Sequence, residues 1–283
     1  MSTLPTSSPI VLGAQDRAPN LSSSKPMELP FYRTVSNERE LFERCFEQRL
    51  PLMLKGPTGC GKTRFVEHMA ARLERPLITV PCHDDTSAAD LLGRWLVRGG
   101  DTVWQDGPVT RAVRASAILY LDEIAEARPD VIVAIHPLTD HRRQLVVDRH
   151  GEELTAPPEF MLVVSFNPGY QRGWKELKPS TRQRFVGASF DYPARDLETL
   201  IVATESGCDE KIALRIVKLV AKLRGLEELG LAERASTRLA VDAARLIHSG
   251  MEPRSACRAA ICEPLSDDPE ILTALAEVVS LAF

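Results

Sequence analysis

The residues with the clearest chemical purpose are Gly56-Pro57-Thr58-Gly59-Cys60-Gly61-Lys62-Thr63. Glycines at this spacing let a loop wrap closely around phosphates, because glycine tolerates the backbone angles such a wrap needs. Inward-pointing N–H groups that run into a helix N-terminus make a concave anion site. Lys62 then reaches the β- and γ-phosphates, and the Thr63 hydroxyl can ligate Mg²⁺. Further along, the apolar run Ile118-Leu119-Tyr120-Leu121 ends in Asp122 and Glu123. Asp122 suits Mg²⁺, held through water. Glu123 is then free to orient and activate an attacking water, which favours hydrolysis over transfer to an acceptor.

These groups need a scaffold that brings strand ends together. Short apolar runs at Leu52–Leu54, Leu77–Val80, Ile118–Leu121, Met161–Ser165 and Ala188–Phe190 read as five buried strands. Helical patterns separate them, which predicts an α/β fold with a central parallel sheet covered on both faces. Ligands of such sheets sit beyond the carboxyl ends of the strands, where Asp122 and Glu123 fall. Asn37 and Glu40 have the spacing of a capping box ahead of a helix carrying Leu41, Phe42, Cys45 and Phe46 on one face. After about residue 193 the strands stop. Ile212, Ile216, Leu219, Val220 and Leu223 share one helix face, and Leu239, Ala243, Leu246 and Ile247 another. Asp268-Pro269 caps a terminal helix. The expected division is a Ser- and Pro-rich disordered arm over 1–30, an α/β nucleotide-binding domain over 31–192 and a small helical lid over 193–283.

Composition sets the limits. The chain has 283 residues, 44% hydrophobic and 26% charged, which suits a globular protein and excludes a collagen-like or disordered chain. Its formal charge of −4 argues against general nucleic-acid binding. Six cysteines form no CxxC pair, which predicts reduced thiols in a cytoplasm. No apolar run approaches the roughly 20 residues that span a bilayer, and the start is unlike a signal peptide. No membrane role is expected.

The phosphate loop and acidic pair, with Trp104–Pro108, Ser165-Phe166-Asn167-Pro168-Gly169-Tyr170 and Ser180-Thr181-Arg182-Gln183-Arg184-Phe185, resemble an AAA+ ATPase. Within that superfamily the chain resembles the MoxR branch, and in particular the CbbQ/NorQ family, over about residues 30–283. The resemblance implies ATP with Mg²⁺ as cofactors and a hexameric ring. Asn167 would be the first sensor, an amide that orients the water and contacts the γ-phosphate. Arg184 best matches an arginine finger acting on the neighbouring subunit's nucleotide, with Arg182 as a second possibility. Arg238, in Ser236-Thr237-Arg238, would be the second sensor, reaching the γ-phosphate from the lid. An Arg in a first helical turn opposes the helix dipole, which favours an anionic partner. Hairpins at Gly93–Trp104 and Leu145–Thr155 would border a central pore. The family acts with an adaptor bearing a von Willebrand factor A domain on metal- or cofactor-dependent enzymes. Rubisco activation, by release of inhibitory sugar phosphates, is the preferred client reading, from the wording of Leu177–Phe185. Nitric oxide reductase maturation is the alternative.

Two other classes share the phosphate loop. A small-molecule kinase would need an acceptor pocket and no arginine in trans. A DNA translocase would need basic hairpins, for which Arg98, Arg142, Arg143 and Arg149 are the available residues. His136 and His141 do not share a helix face, so no metal beyond Mg²⁺ is expected. Cys60, inside the phosphate loop, invites an oxidation-sensitive reading, but a tolerated small residue explains it better. Trp95 and Trp104 flank a turn and are expected to pack across it.

Overall fold

The structure, a computed structural model, describes residues 29–168, 177–226, 228 and 230–283. The expected arm, up to residue 28, and Gly169 and Tyr170 of the asparagine segment lie outside the described residues.

A first helix, α1 (Glu38–Glu47), leads to β1 (Leu52–Lys55), α2 (Lys62–Arg72) and β2 (Leu77–Pro81). A short α3 (Ala88–Leu92) is followed by the hairpin β3 (Gly93–Arg98) and β4 (Asp101–Asp106), then α4 (Pro108–Arg114) and β5 (Ile118–Asp122). Next come α5 (Pro129–Ile135), the second hairpin β6 (Gln144–Val147) and β7 (Glu152–Thr155), and β8 (Met161–Phe166). A single-turn α6 (Pro179–Arg182) precedes β9 (Val186–Ser189). The rest is helical: α7 (Arg195–Ser206), α8 (Glu210–Arg224), α9 (Thr237–His248), α10 (Pro253–Cys257) and α11 (Pro269–Ala282).

The main sheet has five parallel strands in the order β2-β5-β8-β1-β9. The central strand β8 is buried along its whole length, which is why it is apolar except for Ser165. The sheet separates two apolar layers. Leu119, Leu121, Leu162 and Val164 face α4, α5 and the second hairpin. Leu52, Leu54, Tyr120 and Val163 face Phe42 of α1 and Phe65 and Met69 of α2. Alternate residues of one strand thus serve opposite layers. The helical part has its own core around Val202, Ile216, Val220, Ala240 and Cys257.

Several local expectations need correction. Asn37 sits at the N-cap of α1 but its side chain makes no capping bond. Glu38 does the work instead, accepting hydrogen bonds from the Val35 and Ser36 N–H groups at 2.7 and 2.8 Å. Leu77–Pro81 forms an edge strand and is only partly buried. The last strand starts two residues earlier than expected and stops before Phe190. In α9 the buried face is centred on Ala240, Ala243 and Ala244, with Leu239 and Ile247 at its margin. Small side chains there let α7 and α8 approach closely.

The two sequence-predicted hairpins are both present. Trp95 and Trp104 face each other across the first, their rings 5.4 Å apart. Arg142 is engaged by Asp140 at 2.7 Å, and Arg143 donates to the carbonyls of Arg49, Pro157 and Phe160. Two of the four arginines available to a DNA reading are therefore committed to the protein's own groups.

Candidate nucleotide site

The loop between β1 and α2 holds residues 56–61. Gly59 and Gly61 take φ values of +68° and +100°, which side chains rarely adopt. Gly59 has a second constraint: a Cβ there would lie 2.6 Å from the Ser236 Cβ of the helical part. Lys62 folds back under the loop, donating to the carbonyls of Gly56 at 2.8 Å and Pro57 at 2.9 Å. This fixes a buried ammonium at the floor of a cavity of about 520 Å³. Thr58, Gly59, Cys60, Gly61, Thr63, Asp122, Glu123 and Arg238 line the same cavity. Gly56, Pro57 and Asn167 line the adjoining one, with Thr58 common to both.

The acidic pair is held in place by neighbours. Thr63 donates to Asp122 Oδ2 at 3.2 Å, Tyr120 donates to Oδ1 at 2.7 Å, and the Ser165 hydroxyl also donates to Oδ1. Ser165 accepts in turn from the Glu123 N–H at 3.1 Å. One buried hydroxyl therefore fixes both acids. A threonine hydroxyl beside a carboxylate is a hard-oxygen donor set that fits Mg²⁺, which retains several waters and needs few protein ligands.

Glu123 sits in the left-handed region, φ 55° and ψ 45°. That costs about 1–2 kcal/mol for a non-glycine residue and re-aims its side chain away from the strand axis. Burial raises the Glu123 pKa, and Asp122 beside it adds to the rise against the pull of Lys62. A carboxyl with raised basicity suits proton abstraction from water.

Asn167 lies one residue past β8. Its amide donates to Thr58 Oγ1 at 3.2 Å, and Thr58 Oγ1 donates to Glu233 at 3.2 Å. Arg238 projects from the first turn of α9. The two arginines of the 180–185 segment part company. Arg182 lines the adjoining cavity, of about 720 Å³, with Gly56, Pro57, Thr58 and Asn167. Arg184 does not line either cavity; its guanidinium is over a third exposed and lies 3.6 Å from Asp140. Cys60 is buried, and burial pushes its thiol pKa up, which fits a packed small residue rather than a reactive thiol.

The far wall escaped sequence reading. Phe31, Tyr32, Val35 and Ser36 line the cavity opposite the phosphate loop. Glu38 holds this wall, accepting from the Tyr32 hydroxyl at 2.9 Å as well as from Val35 and Ser36. Burial opposes the charge on Glu38, but these bonds outweigh it and lower the pKa. The Tyr32 ring packs on Phe65, and the His68 ring nitrogen meets the Pro30 carbonyl at 2.9 Å. No local spacing announces such a wall.

With this geometry in hand, comparison with known proteins is informative. Residues 51–185 match the AAA domain (dynein-related subfamily), and residues 198–282 match the CbbQ/NirQ/NorQ C-terminal family. The chain is 61% identical to the denitrification regulatory protein NirQ of Pseudomonas aeruginosa, over 89% of this chain and 97% of that one. It is 57% identical to NorQ of Paracoccus denitrificans, over 91% and 95% of the two chains. With CbbQ of Hydrogenophilus thermoluteolus the identity is 52%, over 90% and 95%. The chain belongs to the CbbQ/NirQ/NorQ family of AAA proteins.

Solved structures agree on the fold. NtrX of Brucella abortus superposes with a TM-score of 0.56 at 16% identity, covering 91% of this chain and 64% of that one. A RuvB mutant of Thermotoga maritima gives 0.50 at 17% identity, covering 86% and 69%. Family membership makes the chain an AAA+ P-loop ATPase-fold protein, a fold that implies a nucleotide, usually with Mg²⁺. Among the described residues no helix is long and apolar enough to cross a membrane. None of them forms a His, Cys, Asp and Glu cluster suited to a further metal.

Proposed function

We propose that this protein is a ring-forming, Mg²⁺-dependent ATPase that converts hydrolysis of ATP to ADP and phosphate into remodelling of a protein client. In this reading Gly56–Thr63 cradle the phosphates, and Thr63 and Asp122 hold the metal, Asp122 through water. Glu123 takes the proton of the attacking water while Asn167 orients it. Arg238 contacts the γ-phosphate from the lid. Arg184 completes the pocket of the adjoining protomer, where a guanidinium stabilises charge developing on the transferring group. Arg182 serves its own protomer, beside Asn167.

The observation that carries the reading is the position of Arg184. Lys62, Thr63, Asp122, Glu123 and Arg238 are among the residues that line its own nucleotide cavity, and this guanidinium is not. Arg184 stands outside, partly exposed, with Asp140 3.6 Å from its guanidinium. A ring, most simply a hexamer, gives every pocket such a neighbour. Catalysis then depends on subunit contact. The test is turnover against protein concentration: specific activity falls on dilution as rings dissociate, in step with loss of the large species by light scattering. Constant turnover per subunit down to monomer overturns the reading and leaves the kinase alternative in its place.

In this reading the protein works in the cytoplasm, with a von Willebrand factor A domain adaptor, on a metal- or cofactor-dependent enzyme. Rubisco, stripped of inhibitory sugar phosphates, is the first reading from Leu177–Phe185. Nitric oxide reductase is the second, and the 61% identity to a denitrification regulatory protein supports it. Adding each inactive enzyme with its adaptor to the ATPase and following client activity decides between them.

A further inference from the structure

The hinge between the α/β part and the helical part holds a chain of polar contacts that the reading above does not use. It begins in the phosphate loop. The Tyr192 hydroxyl donates to the Thr58 carbonyl at 3.1 Å. The Arg224 guanidinium lies over the Tyr192 ring, 3.8 Å from its centroid. Arg224 is the last residue of α8, and its fork grips Glu198 of α7 through two bonds, at 2.9 and 2.6 Å. Glu198 is 1% exposed and also accepts from the Thr237 hydroxyl at 2.6 Å. Arg224 Nε donates to the Ala235 carbonyl at 2.7 Å. Ala235 and Thr237 bracket Ser236, which caps α9 and packs on Gly59.

The circuit leaves the phosphate loop at Thr58 and returns to it at Gly59. Between these points it fixes the residues on either side of the α9 N-cap, and Arg238 follows within that first turn. A partly buried, planar, doubly bonded guanidinium stacked on a ring has little freedom to move independently of its partners. We propose that Arg224, with Tyr192 and Glu198, is a positioning unit that ties the backbone of the phosphate loop to the start of the lid helix. Loop and lid then move together, and nucleotide held by the loop sets where Arg238 stands. The inference rests on the reading of Arg238 as a γ-phosphate contact only for its catalytic consequence. The mechanical coupling stands on the contacts themselves.

The test uses the full chain with Mg²⁺ and either ADP or a non-hydrolysable ATP analogue. Hydrogen exchange of the 233–239 backbone reports the coupling, and the ratio of analogue to ADP affinity reports Arg238. In the wild type, the analogue slows exchange in this segment by about 5-fold or more. Arg224→Lys keeps the charge but loses the fork and the stacking, and it removes most of that slowing. Tyr192→Phe keeps the ring under Arg224, deletes only the hydroxyl, and removes a smaller part. Both variants leave ADP affinity within about threefold of wild type, since a lost coupling shifts the lid and not the loop. If both bind ADP normally and retain the wild-type slowing, the proposal is overturned. Arg238→Ala separates the two ideas. It should abolish the preference for the analogue yet keep the nucleotide-dependent slowing. A preference that survives in Arg238→Ala, with slowing lost in Arg224→Lys, removes the role given to Arg238 and leaves the positioning unit standing.

Discussion

The two ends of the nucleotide cavity are built in different ways. The phosphate end is made of contiguous chain: eight consecutive residues running from one loop into α2, and two acids at the tip of one strand. The groups proposed to bind the anion there are backbone N–H groups and one lysine, which is pinned by carbonyls within six residues of it. The opposite end is made of pieces from distant parts of the chain. The loop at Phe31–Ser36 is held by Glu38 and backed by Phe65 and His68 of α2, and the helical part supplies Ile201, Val241 and Asp242. The first end is specified by local geometry, the second by tertiary contact. A change at the first should therefore strike chemistry or phosphate affinity. A change at the second should strike recognition of the rest of the nucleotide.

The sharpest contrast lies inside the phosphate end. Glu123→Gln keeps the shape of the site but removes the base, so turnover should fall by about 10²–10⁴-fold with ATP affinity nearly unchanged. Near-normal hydrolysis in this variant would remove Glu123 from the mechanism. Lys62→Ala should do the reverse of a purely catalytic change: it removes the buried ammonium and weakens binding of ATP and of inorganic tripolyphosphate alike, by about tenfold or more, read by calorimetry.

A milder effect is expected at the other end. Glu38→Gln weakens the hold on Val35 and Ser36 and should raise KM for ATP by about tenfold while kcat stays within about twofold. Affinity for tripolyphosphate, which has no base or sugar, should not change. If both ligands weaken together, the two ends are not separable and the comparison fails. The smallest effect is on pH dependence. Glu123 must be deprotonated to act as a base, and its pKa is raised by burial and by Asp122. The acidic limb of kcat should therefore lie above the ordinary carboxylate range, with activity lost as pH falls through it.

The same contrast explains what could be read from the sequence. The five parallel strands, the phosphate loop, the acid pair and both hairpins follow from short spacings and strand periodicity, and all of them are present. Legibility failed where a residue's role depends on a distant partner. Glu38 looks like one acid in an acidic first turn, and only the fold shows that it holds the cavity wall. Arg224 looks like a basic residue ending a helix, and only the fold places it on Tyr192 and Glu198. Asn37 shows the opposite error: the right spacing for a capping box, with the bonds made by the next residue instead. Arg182 and Arg184 stand two apart in sequence, yet they occupy different surroundings.

The central claim is that each pocket is completed by a neighbour's arginine. Mixing two inactive proteins tests it most directly. Arg184→Ala has an intact pocket and no finger, with turnover expected to be about 10³-fold lower or worse. Glu123→Gln has the finger and no base. Combined under conditions that allow subunit exchange, they should recover ATPase activity that neither shows alone, because an intact pocket then meets an intact finger. No recovery in verified mixed rings, or an Arg184→Ala protein that hydrolyses ATP at the wild-type rate, would contradict the account.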